Sequence, residues 1–151
     1  MKLSSWVEIT GLIAVVTSLV FVGLEIRQNS QASKTANQHA LLEMALNYQN
    51  TIMQDEELSE IYQAMLEGSE PGLTKEQQGR ASQIRGNQFN LWESAFYAHD
   101  TGQLNDELWA AWNGFNRSLI NDQHRAWWKK NRQGFGESFS SHVDSVLYQA
   151  P

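Results

Sequence analysis

The sequence predicts an all-α protein in which a single N-terminal transmembrane helix is followed by an antiparallel helical bundle. Three observations predict it. An uncharged apolar run stands near the N-terminus. Beyond it, apolar residues recur every three or four positions. No segment alternates with period two, as a half-buried strand would.

The run from Ile9 to Leu24 holds no charged residue. Coiled as a helix it reaches about 24 Å, and from Trp6 to Ile26 about 31 Å, the thickness of a hydrocarbon core. Trp6 then falls at an interface, where indoles partition, with Glu8 and Glu25 near the two ends. A helix satisfies its own backbone polar groups, so this segment can span lipid. Three other readings fit less well. Ser30-Gln31-Ala32 loosely resembles a signal-peptide cleavage site, but Glu8 precedes the run, and Glu25 and Arg27 separate it from that site. A chain this small has too little protein to wrap a wholly buried helix. A helix lying flat in the interface needs a polar face, and this one has none. Thr10, Ala14 and Ser18 recur every four residues, a small-residue ridge that lets membrane helices approach closely. Lys2 lies before the helix, with Arg27 and Lys34 after it. That count favours a cytoplasmic C-terminal side.

Neither glycine nor proline occurs between Leu24 and Leu66, so the first helix is expected to continue beyond the membrane. Residues 28–38 are polar and read as a solvated stalk. Ala36, Ala40, Leu41, Met44, Ala45, Tyr48 and Ile52 then form a stripe. Asp55 is expected to cap a short helix that ends at Gly68, with Leu58, Ile61, Tyr62 and Met65 inward. Ser69 to Leu73 reads as a turn. Thr74-Lys-Glu-Gln77 matches a capping box and opens a helix to about His99, stopped by Gly102. Its stripe is Ala81, Ile84, Phe89, Trp92 and Phe96, with Gly79 and Gly86 tolerated or marking close packing. Asn105 caps the next helix, which is expected to bury Leu108, Trp109, Trp112, Phe115, Leu119 and Ile120 on one face. Asp122 is expected to cap a helix carrying Trp127 and Trp128, broken by Gly134 and Gly136. The last helix starts near Ser138 and buries Phe139, Val143, Val146 and Leu147. The expected divisions are residues 1–27 for tail and transmembrane helix, 28–54 for the stalk, and 55–151 for the bundle.

Composition excludes several function classes. Net charge is −6, and between Asn37 and Asn121 twelve acidic residues face four basic ones. Such a surface repels a phosphate backbone, so no nucleic-acid partner is expected. There is no cysteine, hence no disulfide or thiolate chemistry. Five of the six tryptophans lie between Trp92 and Trp128, which implies a core, or a surface, built on indoles.

Glu93 lies on or beside an apolar stripe. Burial would raise its pKa and suit it to proton transfer. The competing and preferred reading is a structural carboxylate, paired with Arg85 or Arg125 or bonded to an indole N–H or a phenol. Trp92, Glu93, Trp109 and Trp112 together form a candidate ligand pocket or buried polar site. Arg125, Trp127, Trp128, Lys129, Lys130 and Arg132 form a basic, aromatic stretch that suits anionic headgroups or a partner. The plainer alternative, and the favoured one, puts its indoles in the core and its cations in water. His39 and Glu43, spaced i and i+4, are geometrically able to share a metal. His99, Asp100, His124 and His142 would join them only through tertiary folding, and no metal is expected. The Gly-x-Ser-x-Gly elbow and the phosphate-binding loop are both missing. No cofactor and no catalytic residue are assigned.

The pattern resembles a family of small, functionally uncharacterised bacterial membrane proteins. The resemblance rests on the anchor followed by Glu25-Ile-Arg-Gln-Asn29 and on Phe89, Trp92, Glu93 and Tyr97. It continues through Gly102-Gln-Leu-Asn-Asp-Glu-Leu-Trp109, Arg125-Ala-Trp-Trp128, and Phe139 with Val143. It covers nearly the whole chain and implies an anchor-plus-helices layout and a bacterial source. It carries over no functional residue.

The sequence therefore leads to an expectation of a structural or interaction protein of the bacterial inner membrane. Such a protein would be homo-oligomeric or an accessory subunit of a membrane complex, with lipid as a further partner. The alternative is a small-ligand or lipid sensor with a tryptophan-lined pocket. An enzyme using Glu93 comes last.

Overall fold

A computed structural model describes residues 2–148, and of residues 2–9 only the Trp6 side chain is described. Lys2, Glu8 and Ile9, invoked above for the amino end of the span, therefore lie outside the described side chains. Among the described residues there are six α-helices and no strand, so the protein is all-α. The helices are α1 (Lys2–Gln54), α2 (Glu56–Glu67), α3 (Lys75–Asp100), α4 (Asp106–Ser118), α5 (Asp122–Asn131) and α6 (Glu137–Tyr148). Short 3₁₀ turns, Glu70–Gly72 and Arg132–Gly134, precede α3 and α6.

The chain separates into two compact units, Met1–Ala36 and Asn37–Pro151. In the first, α1 is long and apolar enough to cross a membrane, and none of its most apolar 18-residue window is buried in protein. In the second, the last turns of α1 belong with the bundle. Leu41 and Ile52 are buried, and Ala45 and Tyr48 half-buried, which gives a seam one helical face wide. Ala36, Ala40 and Met44, expected on that stripe, are exposed. The seam runs antiparallel to α3: Leu41 shares a core cluster with Ala95, while Ile52 shares one with Ala81 and Ile84. Between them the Tyr48 hydroxyl donates to the Ile84 carbonyl at 3.2 Å. α4 is also antiparallel to α3, since Trp92 meets Asn113 and His99 meets Asp106.

Local chemistry fixes the helix ends. Asp55 and Asn105 cap α2 and α4 by accepting the N–H groups of Leu58 and Leu108. Thr74 and Gln77 close both halves of a capping box. Gly68 and Gly102 adopt φ values of 73° and 69°, the left-handed region that stops a helix and that side chains disfavour. Two expectations need correction. The cap of α5 is Asn121, whose side chain accepts the His124 N–H, while Asp122 is the first helical residue. The inward face of α4 is also not the one expected: Leu108 and Phe115 are exposed and Asn116 is buried.

The main core is aromatic. Phe89, Trp92, Trp128 and Phe139 are almost fully buried together with Val143 and Leu147. The Phe89 ring packs on both adjacent indoles, 5.3 Å from Trp127 and 4.9 Å from Trp128, near-parallel to each. A buried Phe contributes roughly 1.5–3 kcal/mol by leaving water, and an aromatic pair about 0.5–1.5 kcal/mol more. Gly86 permits the Trp127 contact, since a Cβ there would lie 3.3 Å from the indole.

Candidate functional site

Of the residues singled out in the sequence, Trp92 is sealed. Its indole N–H donates to Asn113 Oδ1 at 3.2 Å, and the same oxygen lies 2.9 Å from His142 Nε2. Trp109 is half-buried and stacks on His99 at 5.3 Å. Glu93 pairs with neither Arg85 nor Arg125. Its Oε1 accepts the backbone N–H of Gly136 at 2.7 Å, just before α6 begins. A carboxylate there satisfies an orphan donor and faces the positive end of the helix dipole. Gly136 has to be glycine: a Cβ would lie 2.1 Å from Tyr97 Oη and 3.3 Å from Glu93 Oε1. Arg85 pairs instead with Glu70, and Arg125 donates to the Leu147 carbonyl.

The basic stretch divides along its own helix. Trp128 is in the core and donates to Asp144 at 2.8 Å, and Trp127 donates to Ser82 at 2.8 Å. Lys129 and Lys130 point to water, and Arg132 binds Asp144 at 2.6 Å. Both indoles are thus committed to packing and hydrogen bonding. On α1, Thr10, Ala14 and Ser18 are exposed, and the Thr10 hydroxyl returns to the Trp6 carbonyl at 2.8 Å. That bond satisfies the Thr10 hydroxyl hydrogen within the helix. His39 and Glu43 are exposed, and among the described residues no group of three or more acidic or histidine side chains could hold a metal.

The fourth residue of the expected pocket, Trp112, lines a real cavity of about 240 Å³ within the second unit. Neither Trp92, Glu93 nor Trp109 joins it there. The walls come from α1, α2, α3 and α4: Tyr48 and Ile52, Tyr62, Leu91, and Leu119 just past α4. Met53 and Phe115, both exposed, stand at its rim. None of the lining residues is charged. Two buried amides, Gln88 and Asn116, line the cavity together with the half-buried phenols of Tyr48 and Tyr62 and the Trp112 indole.

Those amides are held from behind. Asn116 donates through Nδ2 to the Trp112 carbonyl at 2.9 Å. Gln88 Oε1 is placed 3.3 Å from His124 Nε2, and His124 Nδ1 lies 2.7 Å from Asn121 Oδ1. Asn121 also donates to the Met65 carbonyl and accepts the His124 backbone N–H, which fixes its oxygen toward the ring. Burial, helped by the nearby Arg85 charge, lowers the His124 pKa to about 4. At neutral pH the ring is therefore uncharged and donates through Nδ1, leaving a lone pair on Nε2. Two acceptors cannot face each other, so the Gln88 amide is assigned end for end from that placement, its NH₂ on the lone pair and its oxygen away from the ring. Burial likewise raises the pKa of Tyr48 and of Tyr62, keeping both phenols neutral.

The two amides, though not the cavity itself, leave a trace in the sequence. Gln88 interrupts the stripe Ile84, Phe89, Trp92 of α3, and Asn116 sits inside the aromatic run of α4. A polar residue at core spacing marks either a buried network or a lined space. Compared with models of protein families, with curated proteins and with solved structures, the chain matches none.

Proposed function

We propose that the chain is a single-pass protein of the bacterial inner membrane that serves as an interaction module, homo-oligomeric or an accessory subunit of a membrane complex. Its helical domain lies on the cytoplasmic side, as the Arg27 and Lys34 charges favour. The observation that carries this reading is the apolar surface left without protein cover. The candidate span is wholly exposed, and in the second unit Leu42, Leu46 and Met53 fall on one face of α1 and are exposed, Met53 to 76%. Apolar surface gathered in this way marks contact with lipid or with a protein partner. The ridge Thr10, Ala14 and Ser18 adds a face suited to close helix pairing.

A second reading, a small-ligand or lipid sensor, draws its support from the cavity beside Trp112. An acid–base role for Glu93 has no such support, because its Oε1 is engaged by a backbone N–H. Native mass measurement in lipid discs tests the main reading. A defined oligomer, or a complex recovered from native membranes, is the expected result. A monomer that recovers no partner contradicts it.

A further inference from the structure

The cavity beside Trp112 has a chemistry that selects its occupant. An uncharged wall cannot compensate a buried ion, and burying an unpaired charge is costly enough that ionised ligands are rejected. The Asn116 side chain is only 2% exposed and Gln88 6%. Each spends one end of its amide inside the protein, Asn116 its nitrogen on the Trp112 carbonyl and Gln88 the end that lies 3.3 Å from His124 Nε2, assigned as the NH₂ because Nδ1 already donates to Asn121. Among the described residues the only fully buried side-chain polar atom without a partner is Arg85 Nε. The Asn116 oxygen and the end of the Gln88 amide turned away from His124 have no protein partner, and therefore keep some accessible surface. On side chains this buried, the surface they keep is that of the cavity they line.

We propose that this cavity binds an uncharged, mainly apolar alcohol or phenol, whose hydroxyl donates to the side-chain oxygens of Gln88 and Asn116 while its hydrocarbon part lies among Tyr48, Ile52, Leu91 and Trp112. Two carbonyl oxygens reject a carboxylate or phosphate twice over, by repulsion and by desolvation. Size agrees. An engineered apolar cavity of about 150 Å³ takes up benzene. A space of about 240 Å³ holds a molecule half as large again, a bicyclic phenol or a chain of about eight carbons. The exposed rim residues Met53 and Phe115 give a route in. The site is confined to residues 45–119 and stands whether or not the membrane reading holds.

The test uses the full chain in lipid discs with two photoactivatable probes, a diazirine-bearing octanol and the matching octanoate, and maps the labelled peptides by mass. The alcohol is expected to label segments containing Met53, Leu91 or Phe115 at least tenfold more than the carboxylate does, with excess 2-naphthol competing. Ala45→Phe, which fills the space, should abolish that label while far-UV circular dichroism and thermal unfolding stay as in the parent. If Ala45→Phe does not fold, Met53→Trp at the exposed rim replaces it and should cut the label at least fivefold. Equal labelling by the two probes, label confined to residues 10–26, or label indifferent to the folded filling variant each overturns the proposal. So does a dimer in which the cavity is protected from the alcohol, because a second copy would then be its occupant.

Discussion

Arg85 and Glu70 show how a single pair can be indispensable without being a source of net stability. Both are buried, and bringing two charges inside costs about what their attraction returns. Removing one partner leaves the other buried and unpaired, and Arg85 Nε already lacks a partner. Glu70→Ala is therefore expected to lower stability by about 3–5 kcal/mol, read as a shift in the denaturant midpoint at unchanged slope. The Glu93–Gly136 contact makes a different prediction. Gly136→Ala forces Tyr97 and Glu93 aside and should cost about 1–3 kcal/mol, the usual range for overpacking. In a Tyr97→Ala background the same change should cost much less, so a double-mutant cycle reads the clash directly.

Histidine 124 supplies a pH dependence whose sign can be worked out. Its folded pKa, about 4, lies below the ordinary 6.5, so the unfolded chain binds the extra proton first. Stability is fully present above pH 6.5 and falls as the pH drops from there toward 4. The loss is on the order of 3 kcal/mol for a shift of this size. Burial lowers the pKa of His142 too, adding a contribution of the same sign. His124→Asn should flatten the slope between pH 6.5 and 4 in thermal unfolding followed across that range. A slope unchanged by this substitution would place the titration elsewhere.

At the scale of elements, helix ends were legible in the sequence because they depend on neighbours three or four residues away. Asp55, Thr74 with Gln77, Gly102 and Asn105 all act where their residue types indicate. Asn105→Ala should cost about 1 kcal/mol, measured on the same unfolding curve. Faces were less legible, because a stripe says which residues are apolar and not which neighbour covers them. α4 illustrates this. Leu108 and Phe115 are as apolar as Trp109, yet α3 and α6 pack on the side bearing Trp109 and Asn113, and Leu108 and Phe115 stay exposed. Asn116 is buried in the α4 wall of the cavity, at helical spacing from Trp109 and Trp112, and only its polarity sets it apart from them. The expected cluster of Trp92, Glu93, Trp109 and Trp112 split for the same reason: residues adjacent along α3 and α4 face different neighbours.

Across the whole molecule, two kinds of apolar surface divide the chain. In the second unit the aromatic residues are interlocked around Phe89, and every indole N–H described there with a partner finds a side-chain acceptor. In the first unit the apolar side chains from Leu12 to Ile26 have no protein around them. That contrast was legible in the sequence, since an uncharged run and an amphipathic stripe differ in composition alone. The cavity was not, because it arises from four segments meeting. The most direct test of the account is fractionation of cells making the full chain, with an alkaline carbonate wash of the membranes. The intact chain is expected to stay with the membranes after the wash and to be released only by detergent. Recovery of the unprocessed chain in the aqueous fraction, without detergent, would contradict it.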